Sequence, residues 1–406
     1  DALMPAAVAR ERAAGLPWLE RPDHVLMPGL VNAHGHAAMT LFRGLADDLP
    51  LQRWLEDHVW PAEARWVNPD FVRDGTELAV AEMLAGGTTC FNDMYFFPDI
   101  VGEVALEQGM RAVVGMIVIE VPTAWARTTE EYFDKGLAVH DRFIGSDLIS
   151  TAFAPHAPYT VSDDSFRRIA KLANELETPV HTHLHETSAE VAAARQAEGR
   201  RPFDRLADLG LLTPLLAAVH MTDVTDAEIA GLAAAGASVI HCPESNLKLA
   251  SGNCPVARLL AGGVNVALGT DGAGSNNDLD KFGEMRTAAL LAKGAAGDAS
   301  VVDAARALEM ATLGGARAMG LADHIGSLEP GKQADLVCVD LSGPANQPVH
   351  HPISQLVYSV CRGDVSDVWV AGRQRVTQGR LDRDLPELFE RTRAWQARIA
   401  AAAAGQ

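Results

Sequence analysis

No Cys-x-x-Cys pair occurs among the five cysteines, Cys90, Cys242, Cys254, Cys338 and Cys361, and their spacing is irregular. Such a set suggests neither a disulfide framework nor a thiolate zinc site. Basic residues are in deficit. The 34 Lys plus Arg against 53 Asp plus Glu leave a formal charge of -19 over 406 residues, the reverse of what a nucleic-acid surface requires. No apolar run approaches the roughly 18 to 20 residues of a membrane helix, and the N-terminus carries no basic-then-apolar signal pattern. A protein of the reducing cytoplasm, without nucleic acid or membrane as partner, is expected.

Hydrophobic residues make up 48% of the chain and charged residues 21%, a globular composition long enough for one large core, or a large core and a small one. Short apolar, β-branched stretches recur eight times, over 25–32, 88–94, 112–119, 148–154, 179–184, 216–219, 238–240 and 264–269. Helical patterns such as 71–85, 163–177, 226–235 and 279–293 separate them. This alternation predicts an α/β fold, a (β/α)8 TIM barrel over 23–320, because each amphipathic helix must cover a buried parallel strand. After a helix over 301–319 the pattern changes to Gly/Pro turns and short alternating segments, GSLEPGKQADLVCVDL and VSDVWVAGRQRVTQGRL, which predict a small appended β domain over 321–384. A last amphipathic helix is expected within 385–406, with Leu388, Trp395 and Ile399 inward.

Fourteen histidines are spread along the chain, and their positions carry the information. His34 and His36 follow the first strand, His183 and His185 the fifth, His220 the sixth and His241 the seventh, while Asp271 follows the eighth. A barrel gathers its active site at the C-terminal ends of its strands, so these residues converge on one mouth. Alternate residues on a strand face the same way, so His34 and His36 can point inward together. Imidazoles plus one carboxylate are the ligand set of a catalytic zinc or iron site that keeps a position for water. His24, His58, His140, His324, His350 and His351 read as ordinary core or surface histidines.

The segments PGLVNAHGHAAMTLFRG, HLHETSAE, SNLKLASG and GTDGAGSNN resemble the amidohydrolase superfamily, specifically its aminohydrolase branch of adenosine, guanine, cytosine and triazine deaminases. The resemblance runs from about Val25 to Gly379. Members usually begin with several strands that complete the small domain, whereas residues 1–22 read as helix or loop and the chain opens at Asp1, so those N-terminal strands are expected to be missing. Carried over residue by residue, the resemblance implies His34, His36, His183 and Asp271 as metal ligands. It implies Glu186, three residues after His183, as the proton carrier, and His220 as the histidine that orients the water. No lysine ends the fourth strand, AFAPHAPY, where binuclear members carry a bridging one. One divalent metal per chain is therefore expected, zinc or, alternatively, iron.

The implied chemistry has a physical basis. A zinc ion lowers the pKa of its water towards about 7. Asp271 and His220 can hold that water and take its proton while Glu186 protonates a ring nitrogen, so that hydroxide adds to the adjacent carbon and ammonia leaves. The resemblance points to the adenine 6-amino group of 5-methylthioadenosine, S-adenosylhomocysteine or adenosine. It also implies Glu63, in WLEDHVWPAE, on the ribose hydroxyls, Trp54 as an apolar wall and His156, in PHAPY, as a further substrate contact. Family members use arginines near the third strand for an amino-acid carboxylate; here that strand reads VVGMIVIE, and Arg127 in the following loop is the nearest candidate. The alternative is another aminohydrolase of the same branch, for guanine, 8-oxoguanine, cytosine or a triazine. The HxE and PCxxC signature of nucleic-acid-editing deaminases is absent. A homo-oligomer is expected.

Overall fold

The computed structural model describes residues 4–13 and 15–404. Strand β1 spans His24–Pro28 and β2 spans Leu30–Gly35; they are followed by β3 (Thr88–Asp93), β4 (Arg111–Val118), β5 (Ile149–Pro155) and β6 (Val180–Leu184). Strands β7 (Leu216–His220), β8 (Ser238–His241) and β9 (Asn265–Leu268) complete the first part of the chain. Strands β2 to β9 lie side by side in sequence order, all parallel. The ring closes where Asp271 N–H donates to His34 O at 3.1 Å, beside a parallel bridge between Gly35 and Asp271. Asn32 reinforces this seam: its Oδ1 accepts the Thr270 N–H at 2.9 Å and its Nδ2 donates to Thr270 Oγ1 at 2.8 Å. Helices cover the outside, which is why most strand residues are buried and rich in Val, Ile and Ala rather than alternating with polar ones.

The flanking helices start where their side chains can satisfy free backbone donors. Asn68 caps the helix Pro69–Ala85 by accepting from Asp70 and Phe71, and Thr225 with Glu228 forms a capping box on Asp226–Ala235. The helix expected over 301–319 is two, Ala304–Ala311 and Leu313–Ala318, parted at Thr312, whose φ and ψ of −129° and −92° interrupt the spiral.

A second sheet is antiparallel, in the order β1, β10 (Leu336–Asp340), β11 (Val365–Val370), β12 (Arg373–Thr377) and β13 (Arg380–Leu381). The single strand expected over 25–32 is thus divided: its first half pairs with the small sheet, His24 opposite Asp340 and Pro28 opposite Leu336, and its second half opens the barrel. The break falls at Gly29, where a Cβ would sit 1.9 Å from Thr89 Oγ1, so a side chain has no room. The small sheet therefore takes a strand from each end of the chain, and the stretch expected to be barrel from residue 23 begins with a strand of the other sheet. A buried pair joins the two units, Arg111 Nε to Asp335 Oδ2 at 2.9 Å and Nη2 to Oδ1 at 3.2 Å.

The C-terminal helix, described as far as Ala404, spans Pro386–Ala404. Leu388 and Trp395 are buried as expected, and Ile399 packs partly against the core. Trp395 Nε1 donates to Asp74 Oδ2 at 2.8 Å, which fixes this helix to Pro69–Ala85. No helix among the described residues is long and apolar enough to cross a membrane.

Candidate active site

His34 lies on β2, His36 directly after it, His183 on β6 and Asp271 just beyond β9. One ligand atom from each falls within 4.8 Å of those of the other three. His34 Nε2 and His183 Nε2 face each other at 3.2 Å, and Asp271 Oδ1 lies 3.1 Å from His36 Nε2 and 3.4 Å from His34 Nε2. The far side of two rings is pinned: His36 Nδ1 lies 2.6 Å from Met94 O and His183 Nδ1 2.8 Å from His156 O. A carbonyl can only accept, so each Nδ1 carries the proton and each Nε2 is left free for a cation. Burial pushes the His34 imidazole down to about 4. At His36 burial again opposes the charge, but the hydrogen bond the ring donates to Asp271, the Asp271 and Asp93 charges and the Met94 carbonyl together outweigh it and hold the ring at about 9. Three imidazoles and a carboxylate, converging on one point with the outer nitrogens of His36 and His183 engaged, suit a divalent ion.

Three strand ends turn through left-handed backbone at this mouth, His185 at φ 51°, His220 at 75° and Asp271 at 61°. Non-glycine residues rarely hold this conformation, and such strain is tolerated where it aims a side chain. His220 Nδ1 meets Asn246 Oδ1 at 2.9 Å, which leaves Nε2 directed at Glu186 Oε2, 3.9 Å away. Glu186 is buried, and burial raises its pKa.

These groups line a cavity of about 380 Å³. Trp54, Met94, Ile117 and Leu249 give the same cavity an apolar lining, and Glu63 and His156 line it as well. Burial pushes Glu63 up to about 7, beside the Tyr95 hydroxyl, and His156 down to about 3. His156 Nδ1 lies 2.9 Å from Thr160 Oγ1. Nine of the residues singled out in the sequence for the metal, the proton and the substrate therefore lie at this mouth.

Two strand-end histidines do not. His185 turns away from the cluster, its Nδ1 at 2.9 Å from Asp223 O and its Nε2 accepting the Phe203 N–H at 3.1 Å. His241 is buried with an unpartnered Nδ1 and is not among the cavity-lining residues. Arg127 is exposed and lies outside the cavity wall as well. In place of His185, His181 on β6 shares the inward face with His183; its ring centre is 5.5 Å from that of His34. The period of two from His183 was the signal that could have found it. Ser245 and Ser275, both on the Asp271 carboxylate, sit in SNLKLASG and GTDGAGSNN without any spacing that marks them.

The pattern of the amidohydrolase family matches residues 25–375. A curated protein of Teredinibacter turnerae, named 5-methylthioadenosine/S-adenosylhomocysteine deaminase, is 55% identical over 367 residues, 90% of this chain and 82% of the relative. One of the same name from Saccharophagus degradans is 50% identical, covering 94% and 86%. Among solved structures, an adenosine deaminase from Xanthomonas campestris with bound zinc superposes with a TM-score of 0.97 at 56% identity, over 98% of this chain and 91% of that one. With the family pattern spanning most of its length and relatives this similar, the chain belongs to the amidohydrolase family.

Proposed function

We propose that this chain is a metal-dependent aminohydrolase that hydrolyses the 6-amino group of 5-methylthioadenosine, S-adenosylhomocysteine or adenosine, giving the inosine analogue and ammonia. The observation that carries this reading is the placement of Glu186 and His220, 3.9 Å apart, in the lining of the same cavity as His36, His183 and Asp271 of the four-donor cluster. His34, His36, His183 and Asp271 hold one divalent ion, zinc as in the similar Xanthomonas campestris structure, with iron as the alternative. When bound, such an ion supplies a Lewis acid that brings the pKa of water to about 7.

The protein's own groups do the rest. His220, whose Nδ1–H is given to Asn246 Oδ1, accepts a hydrogen bond from the attacking water on Nε2, and the Asp271 carboxylate takes the water's proton. Glu186, whose raised pKa favours the protonated state, donates to ring nitrogen N1 and makes C6 electrophilic. The C6–O bond forms, the proton taken by Asp271 passes to the amino group, the C6–N bond breaks as ammonia departs, and the proton left on the C6 hydroxyl returns to Glu186 as the carbonyl forms. Glu63 receives the ribose hydroxyls, Trp54 walls the pocket and His156 contacts the substrate. A homo-oligomer in the cytoplasm belongs to the same reading, and the free cysteines among the described residues suit that compartment.

Ammonia release from adenosine, 5-methylthioadenosine and S-adenosylhomocysteine, each against guanine, tests the proposal. Turnover of guanine alone would replace the substrate class with that of another aminohydrolase.

A further inference from the structure

The Glu186 carboxylate makes no hydrogen bond to any described residue; His220 Nε2 lies 3.9 Å from its Oε2. A side chain that must meet a substrate nitrogen at hydrogen-bond distance is thus aimed only through its main chain. That main chain is held at both ends of the residue. The Glu186 N–H donates to Glu190 Oε2 at 2.8 Å, and the Glu186 carbonyl accepts from Thr222 Oγ1 at 2.9 Å.

The Thr222 contact has a definite direction. Thr222 Oγ1 also lies 3.1 Å from His185 O, but that carbonyl already accepts the Thr222 N–H at 2.9 Å. A hydroxyl has one proton to give, and its shorter contact is to Glu186 O. Thr222 stands two residues after His220, so the bond ties the loop bearing the proton carrier to the loop bearing the water-orienting histidine. Packing leaves Thr222 little freedom: a Cβ on Gly252 would come within 2.9 Å of it. At the other end Glu190 is itself placed by the helix start, its N–H donating to Thr187 Oγ1 at 3.1 Å.

We propose that Thr222 and Glu190 are positioning residues that set the reach of Glu186 by clamping its peptide groups from opposite sides. The inference rests on the role given to Glu186 above. Thr222→Val keeps the shape and removes the donor; Thr222→Ser keeps the donor. With 5-methylthioadenosine, Thr222→Val should lower kcat by about 10-fold or more, on the scale that small misplacements cost, with KM and metal content unchanged. Thr222→Ser should stay within about 3-fold of the parent, because the hydroxyl is what acts. In a Glu186→Gln background, Thr222→Val should cause no further fall, since residues that act as one unit are not additive.

Near-parental kcat in Thr222→Val, or an equal further fall in the Glu186→Gln background, would overturn the clamp. Should Thr222→Val fail to fold, Glu190→Ala tests the other end by the same two readouts, with Glu190→Gln, which keeps an acceptor oxygen, as the rescuing variant. A Glu186→Gln enzyme that turns over at the parental rate would instead overturn the role of Glu186 itself.

Discussion

Ser245 Oγ donates to Asp271 Oδ2 at 2.7 Å, and Ser275 Oγ lies 3.0 Å from the same oxygen. One carboxylate oxygen is thereby committed to two hydroxyls, and the other is turned toward His34 and His36. The arrangement fixes which oxygen a cation meets, from the short helix Pro243–Lys248 after β8 and the loop after β9.

Metal content follows from this geometry. The four-donor cluster is the single such group among the described residues, and β5 ends at Pro155 with no lysine there. Protein purified without chelator should hold about one ion per chain, and His183→Ala should lose most of it together with turnover, since an incomplete ligand set binds weakly. Two tightly bound ions per chain in elemental analysis would contradict the assignment.

Glu186→Gln separates proton transfer from binding. The amide keeps size and polarity but cannot donate and accept a proton within one cycle, so kcat should fall by at least about 10²-fold while metal content holds. A kcat close to that of the parent would remove Glu186 from the mechanism.

Much of this was legible because a barrel converts sequence order into spatial convergence. Seven of the eight strands lie where apolar runs predicted them, and His34, His36, His183 and Asp271 meet although 237 positions separate the first from the last. The run over 25–32 misled because apolar residues resume at Leu30 directly after Pro28 and Gly29, while the sheet it feeds changes at that dipeptide. His185 misled because the backbone turns left-handed at that residue, which ends the alternation that would have carried it inward. The clamp on Glu186 was invisible for a different reason. Thr222 and Glu190 act through peptide groups, and main-chain hydrogen bonds leave no residue pattern to read.

Stability should depend on the link between the two sheets. Arg111 and Asp335 are buried, and Asp335 Oδ1 also accepts the Ala371 N–H at 2.8 Å. Arg111→Ala leaves that carboxylate without its cation, a change that typically costs about 3–5 kcal/mol. Thermal or denaturant unfolding should show a marked loss, whereas replacing an exposed pair such as Arg53 with Asp57 should cost under about 1 kcal/mol. Equal effects at both sites would show that the buried pair does not join the units.

The 5′ group of the nucleoside is a further point of discrimination. No lysine or arginine lines the catalytic cavity among the described residues, and Arg205 in the adjoining chamber is already bonded to Asp163, Pro158 O and Val161 O. A carboxylate tail would find no free cation, so 5-methylthioadenosine should exceed S-adenosylhomocysteine in kcat/KM by about 10-fold or more, equivalent to one unpaired charged contact. Similar kcat/KM values for the two would show that the tail is recognised by other means.

Glu63 decides whether the pocket is built for a nucleoside or for a free base. It lines the same cavity as His36, His183 and Asp271, next to Tyr95, and burial already pushes its carboxyl up to about 7. A carboxylate in that position gains from donors, and two neighbouring ribose hydroxyls can supply them, whereas adenine alone leaves it unpaired at a cost of about 1–3 kcal/mol. Adenosine should therefore be deaminated at least about 10-fold more efficiently than adenine, and a 2′,3′-dideoxy analogue should lose most of that advantage. Glu63→Ala should reduce kcat/KM for adenosine while leaving adenine nearly unchanged, because the four-donor cluster, Glu186 and His220 keep their side chains. If adenine and adenosine lose equally in the variant, Glu63 acts on the cavity as a whole and the ribose assignment falls.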